Sequence, residues 1–471
     1  MLSHGIIVSV GYGVITYQGL AYSFIGEVLR IHSLKDSPTY GMVVNLYRDT
    51  TMHVLVGALV LNPRDRFNEG SSLTGCDTLG SIMVGDHVIS SILDPMGTTL
   101  YSSDRIDVDC SWVIESPSPT IILRQGVSES LQTGLISIDS MIPVGRGQRE
   151  LVIGDRQTGK TSISTDTIIN QEYTGVYCVY DGIADKASSI CRVFLALIRR
   201  DAAFYLSPVY ASASSSGLYQ FLCAYSGSAL SEYFMLTSEL PSVLILDDLS
   251  HHAISYREIY LLLRHPPGRE AYPGEIFFVH SRLLERSAKL SYNLGGSSIA
   301  SFPLIETLAG DVSAYIPTNL ISITDGPIFL SGYLFLSGVK PAIDVGLSVT
   351  RVGSSAQWLG MKLVAGSYKL ELSQYIELQS FSEFTSDVGQ ETLDRLARGS
   401  ILVEMLKQLT GCPMGLSSQL AILSLGNQDI LICLGVKDVQ LFISMYLALP
   451  RWLSLYLPPR LIGKTIVQVI S

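Results

Sequence analysis

Gly154-Asp155-Arg156-Gln157-Thr158-Gly159-Lys160-Thr161 sets how the rest of the chain reads. The octapeptide fits G-x-x-x-x-G-K-[ST], follows the apolar run Leu151-Val152-Ile153, and leads into Ser162 to Ile169, a stretch that predicts a helix. Strand, glycine loop and helix in that order turn loop amides and a helix N-terminus, with its partial positive charge, toward an anion. In such a loop Lys160 reaches the β and γ phosphates of a nucleotide, and the Thr161 hydroxyl takes one position on Mg²⁺. The expected ligand is a nucleotide with Mg²⁺, cradled by Gly154, Asp155, Arg156, Gln157, Thr158, Gly159, Lys160 and Thr161.

Downstream, Val176 to Tyr180 and Val243 to Leu246 are further buried-strand candidates, and the second ends in Asp247-Asp248. A carboxylate at the end of an apolar strand is costly unless something positive meets it. The phosphate-bound metal is that partner for Asp247, whereas Asp248 suits a helix N-cap before Leu249. Strands alternating with helices from about Thr78 to Ser355 predict an α/β domain with a mainly parallel sheet.

Upstream, Ile6-Ile7-Val8, Val14 to Tyr17 and Gly41 to Tyr47 read as short strands. Arg48 to Thr51 reads as the turn into Met52 to Val60, and a small antiparallel barrel leaves such strands no exposed edge. Beyond Ala356 the pattern is helical. Leu393, Leu396, Ala397, Ile401, Leu402, Met405 and Leu406 recur at helical spacing, with Pro413 as the stop. The expected architecture is an N-terminal β-barrel in residues 1–76, a P-loop (RecA-like) nucleotide-binding domain in 77–355, and a C-terminal α-helical bundle in 356–471. After the last predicted strand, Arg264 to Gly274 holds Pro266, Pro267 and Pro273 and must be a surface loop. His280 to Tyr292 then predicts an amphipathic helix whose charges form a solvated face.

Composition narrows the partners. With 32 Lys+Arg against 42 Asp+Glu the net charge is −10, which argues against phosphate-neutralising nucleic-acid binding. Hydrophobic residues make up 47%, charged ones 16%, and the mean hydropathy is +0.33, apolar enough to suggest that other chains cover much of the surface. Residues 1 to 26 lack Asp, Glu, Lys and Arg but hold five Gly and no basic start, so signal peptide and membrane span both fit badly. Ala202 to Ser231 also lacks those charges, yet Pro208 and its serines speak against a span, and no transmembrane helix is expected. Seven scattered cysteines without a C-x-x-C pair read as buried thiols in a reducing compartment.

The succession of barrel, P-loop domain and helical end resembles the α subunit of the F-type rotary ATP synthase. The motifs that carry the resemblance are Gly145 to Glu150, Asp247 to Ser250, Pro266 to Gly274, His280 to Arg286, Gly310 to Asn319, Ser322 to Gly326 and Val349 to Ser354. It runs from Gly5 to Met414 and fades in the apolar tail beyond. It implies an alternating hexamer with catalytic β subunits, a central-stalk γ subunit and peripheral-stalk subunits, attached to the membrane only through the complex. It also implies a site that holds Mg-ATP without turning it over, and an arginine lent to the neighbouring catalytic site, which by motif is Arg351. Phe335, Lys340 and Gln408 would lie about the base.

Three positions depart from the family pattern. Asp185 stands where its α subunits carry Gln and its catalytic subunits a Glu that positions the attacking water. A carboxylate one methylene short loses ~1 Å of reach, which argues against hydrolysis here. Lys340 replaces Arg, and Thr410 a second Gln about the adenine. The rival enzyme, a secretion-type hexameric ATPase, needs its own catalytic glutamate after the second strand. An RNA-translocating hexamer needs basic and aromatic clusters that residues 1 to 75 lack. The complex places the chain on the matrix side of the mitochondrial inner membrane, and a chain with only ten lysines and no basic presequence suits organelle encoding.

Overall fold

Along Val14–Gln18 buried residues alternate with half-buried ones, so that Ile15 and Tyr17 face inward. That period of two is the pleat of a strand with one wet face. The structure is a computed structural model describing residues 4–11, 13–20, 22–32, 39–48, 54–61, 68–85, 88–100, 110–382, 389–427 and 436–448. Six antiparallel strands, His4–Gly11 (β1), Val14–Gln18 (β2), Glu27–Ile31 (β3), Thr39–Arg48 (β4), Val54–Val60 (β5) and Ser72–Leu79 (β6), close a barrel in the order β1-β2-β5-β4-β3-β6. Ile7, Ile15, Leu29, Val43, Val56 and Leu73, one from each strand, fill it. β4 and β5 pair as the expected hairpin, while residues 49–51 of its predicted turn lie outside the described residues.

Two short antiparallel pairs follow, Ser81–Val84 (β7) with Cys110–Val113 (β8), and Ser130–Leu131 (β9) with Val144–Gly145 (β10), the latter enclosing the helix Ile136–Met141 (α1). Next come Glu150–Asp155 (β11), Lys160–Ile169 (α2), Tyr177–Asp185 (β12), Ala187–Ile198 (α3), Leu206–Ser212 (β13), Gly217–Thr237 (α4), Ser242–Asp247 (β14), Leu249–Leu262 (α5) and Ile276–Leu284 (α6). The alternation continues with Ile299–Thr307 (β15), Tyr315–Ile323 (α7), Gly326–Leu330 (β16) and Gly332–Leu336 (α8). Helices alone complete the described chain: Leu359–Ala365 (α9), Tyr368–Ser382 (α10), Gln390–Met405 (α11), Leu416–Asn427 (α12) and Val439–Ala448 (α13).

The chain divides into two compact units that do not follow its linear order. One comprises Met1–Gln125, Val176–Ile305 and Ser313–Ile323; the other comprises Gly126–Gly175, Glu306–Val312 and Thr324–Ser471. In the first, β13, β12, β14 and β15 lie side by side as parallel strands. In the second, β11 runs parallel to β16, with Glu150 opposite Gly326 and Gly154 opposite Leu330. Parallel strands buried on both faces read as continuous apolar runs, as in Val243 to Leu246.

The uncharged stretch from Ala202 to Ser231 becomes β13 and most of α4, a helix buried on nearly every side from Leu218 to Met235. No described helix is long and apolar enough to cross a membrane. α4 also meets β12 closely: a Cβ on Gly227 would stand on the Asp181 carboxylate. Asp181 is fully buried, neither of its oxygens has a hydrogen-bond partner among the described residues, and desolvation pushes its carboxyl well above the usual range.

Several expectations are corrected. The helix expected over 280–292 spans Ile276–Leu284 instead, so Glu285 to Tyr292 lie beyond its body. Its motif charges do not make a solvated face either. Arg286 is 1% exposed and grips Glu232 of α4 through two 2.6 Å hydrogen bonds, and Lys289 is 2% exposed. Burial of an arginine is tolerable because a bidentate carboxylate partner is buried with it. α11 ends at Met405, eight residues before Pro413, and only its C-terminal half is buried; Leu393 is exposed. Cys178 and Cys223 are buried as expected, but Cys110 and Cys412 are exposed. Cys433 and the tail from residue 449 lie outside the described residues.

Candidate functional site

In the second unit, β11 carries the chain to the loop and α2 takes it away, starting at Lys160. Gly159 caps α2 with φ +100°, a conformation that any Cβ would strain, and Gln157 is also left-handed at φ +64°. Inside the loop, Thr158 Oγ1 donates to Asp155 O at 2.8 Å. The Asp155 carboxylate accepts from Thr307 Oγ1 at 2.7 Å and from Gly310 N at 2.8 Å, anchoring the loop to the end of β15 and to the Gly310 motif. Lys160 Nζ lies over the loop, donating to Gly154 O at 2.8 Å and Asp155 O at 3.2 Å. Arg156 meets Glu306 at 3.1 Å but is 81% exposed, so that pair adds little. A loop with a left-handed glycine, a lysine over its carbonyls and a helix N-terminus without a side-chain cap suits a polyphosphate chain.

The three residues expected about the base fall in this same unit, and Lys340 touches each of the other two. Phe335 sits on α8, and Lys340 Nζ stands 4.7 Å from its ring centroid. Lys340 O accepts from Gln408 N at 2.8 Å. The Gln408 side chain is 8% exposed and faces inward: its carbonyl accepts from Ile136 N at 2.7 Å and its amide donates to Gly134 O at 2.9 Å. In this geometry Gln408 holds main chain in place. Thr410 is exposed beside it. A contact that no local pattern signals joins this segment to the phosphate side, since Asp166 on α2 accepts from Gly411 N at 2.7 Å across 245 residues.

Arg351 also belongs to this unit. Its side chain is exposed and makes no hydrogen bond or ion pair among the described residues, while its main-chain N–H donates to Asp325 O at 2.8 Å.

In the first unit, β14 ends at Asp247, 9% exposed, whose Oδ2 accepts from Tyr180 Oη at 2.6 Å. Burial and the neighbouring Asp247 carboxylate push the Tyr180 hydroxyl well above its ordinary range, which keeps it a donor. Asp248 caps α5 by accepting from His251 N at 2.8 Å, the role expected of it. Asp185 is the last residue of β12, half-buried, with its carbonyl taking Tyr210 Oη at 3.0 Å. A hydroxyl at Thr161 and a carboxylate at Asp247 are hard oxygen donors of the kind Mg²⁺ takes, each placed within its own unit.

Strand, left-handed loop and helix with these side chains define a P-loop nucleotide-binding protein. Residues 134–350 match the nucleotide-binding domain of the ATP synthase alpha/beta family, and residues 357–451 match the C-terminal domain of the ATP synthase alpha/beta chain. The protein therefore carries both of these domains of the ATP synthase alpha/beta family. The second match continues past Met414, where the resemblance was expected to fade, as far as residue 451.

Proposed function

We propose that this chain is the nucleotide-binding, non-hydrolysing alpha subunit of an F-type rotary ATP synthase. It would alternate with catalytic β subunits around a γ stalk, on the matrix face of the mitochondrial inner membrane. The division into residues 1–76, 77–355 and 356–471 belongs to the same reading. Gly154 to Lys160 would bind the phosphates of ATP or ADP, with Phe335 and Lys340 toward the base. Thr161 and Asp247 would hold Mg²⁺, which offsets phosphate charge when bound. Asp185, a shortened carboxylate in place of a catalytic glutamate, supports the absence of turnover on this chain.

The observation that carries the proposal is Arg351: an exposed guanidinium with no partner of its own among the described residues, on main chain that is pinned. Such an arginine is available to neutralise charge that develops on a γ-phosphate in a neighbouring site. In the assembled complex, Arg351→Ala should lower multisite ATP hydrolysis by about 10³-fold or more while ATP stays bound to this chain. Unchanged turnover would remove the role. Asp185→Gln, in a complex whose β subunits have been made catalytically inactive, is expected to leave residual turnover as low as before.

A further inference from the structure

A glutamine buried beside Arg351 makes contacts that phosphate binding does not require. Gln148 is 0% exposed and uses its whole amide. Its Oε1 accepts from Gly145 N at 2.8 Å, which fixes the orientation because a main-chain N–H only donates. Its Nε2 then donates to Glu150 Oε2 at 2.6 Å and to Thr350 Oγ1 at 2.8 Å. Thr350 is the residue before Arg351, 202 positions away in sequence.

The surroundings make this one connected device. Glu150 is also 0% exposed, and its Oε1 has no hydrogen-bond partner among the described residues. Desolvation first, and the Asp325 carboxylate second, raise its carboxyl well above the usual range. Opposite it, Gly326 leaves room for the returning chain: a Cβ there would collide with Val349 O and stand 2.9 Å from Thr350 Cα. Asp325 is fixed by Arg149, through Nε at 3.1 Å and a second guanidinium nitrogen at 2.9 Å, and takes the Arg351 N–H on its own carbonyl at 2.8 Å. Main chain at 349–351 is thus held by a side chain on one side and a carbonyl on the other, while the arginine side chain stays outside.

We propose that Gln148, backed by Glu150, is a positioning residue that acts on the neighbouring catalytic site through Thr350 and Arg351. This rests on Arg351 being lent to that site. A guanidinium on a long side chain gains from a fixed base, since displacement by ~1 Å costs about 10²-fold in a reaction that depends on placement.

The test uses the assembled complex and Thr350→Val, which keeps the shape and removes the hydroxyl that accepts from Gln148. Expected results are a kcat about 10-fold lower with KM for ATP unchanged, and slower trapping of MgADP with fluoroaluminate. Thr350→Ser should restore both. In an Arg351→Ala background, followed by single-turnover hydrolysis, Thr350→Val should add no further loss. Gln148→Leu should repeat the Thr350→Val pattern where the complex still assembles. An unaltered kcat in Thr350→Val, or the same fractional loss with and without Arg351, would overturn the inference. A loss confined to melting temperature and to nucleotide on this chain's own site would do so as well, because it marks a purely structural contact. Full turnover in Arg351→Ala alone would instead remove the arginine's role and leave the buried contacts as packing.

Discussion

A methyl group added at Gly154 would stand 2.8 Å from Leu330 Cβ and 2.9 Å from Thr158 Oγ1, whereas one at Gly159 would meet nothing within 4 Å. The two motif glycines are needed for different reasons, close packing in one case and backbone sign in the other. Gly159→Ala should therefore fold, at a cost of about 1–3 kcal/mol of strain, and should shrink the melting shift that MgATP produces. An undiminished shift would show that the left-handed turn does not matter to binding. Asp248 as a cap and Asp247 at a strand end were legible because their signals are local. Gln408, Asp166 and Arg286 were not, since each acts on a partner far along the chain: Ile136, Gly411 and Glu232.

At the scale of elements, α5 and α6 meet through a pair of histidines, His252 and His280, both 0% exposed with ring nitrogens 3.3 Å apart. Burial lowers His280 to about 4, and burial with its neighbour lowers His252 well below its ordinary value. An unfolded chain takes up these protons near pH 6.5, which the folded one refuses, so stability is lost as pH falls from 6.5 toward 4. For His280 alone the loss amounts to roughly 3 kcal/mol at the acid end of that window. Hydrogen-exchange protection factors at α5 and α6, corrected for the pH dependence of intrinsic exchange, should fall between pH 7 and pH 5, and His252→Gln should flatten that dependence. Equal protection factors at both pH values would refute it. Neither histidine has a sequence pattern that announces its depth. Spacing gave the existence of α6 and α11 but placed the solvated face beside α6 wrongly, because which charges are covered there depends on where α4 lies.

For the whole molecule, the succession of barrel, α/β strands and helices was readable because each has its own period. The partition into two units was not. Gly126–Gly175 leaves its sequence neighbours and joins Thr324–Ser471, a return that no linear pass reveals. Apolar surface remains on the outside: Ile6, Val8 and Val10 alternate along β1 at 53%, 42% and 37% exposure, and Leu363 is 76% exposed. Expressed alone, the chain should aggregate. Co-expressed with a homologous P-loop chain it should be soluble and appear in native mass spectra in equal amount with it. A stable, monodisperse solitary chain would contradict this.

The close approach of α4 to β12 also orders the way this sequence can drift. While position 181 holds aspartate as it lies here, a side chain at position 227 would force that carboxylate to move, because a Cβ there would stand 1.9 Å from Asp181 Oδ1. A shorter residue at 181 removes the obstacle. An alanine at 227 is therefore expected more readily in a chain that has already lost the carboxylate, which ties changes at the two sites to one another.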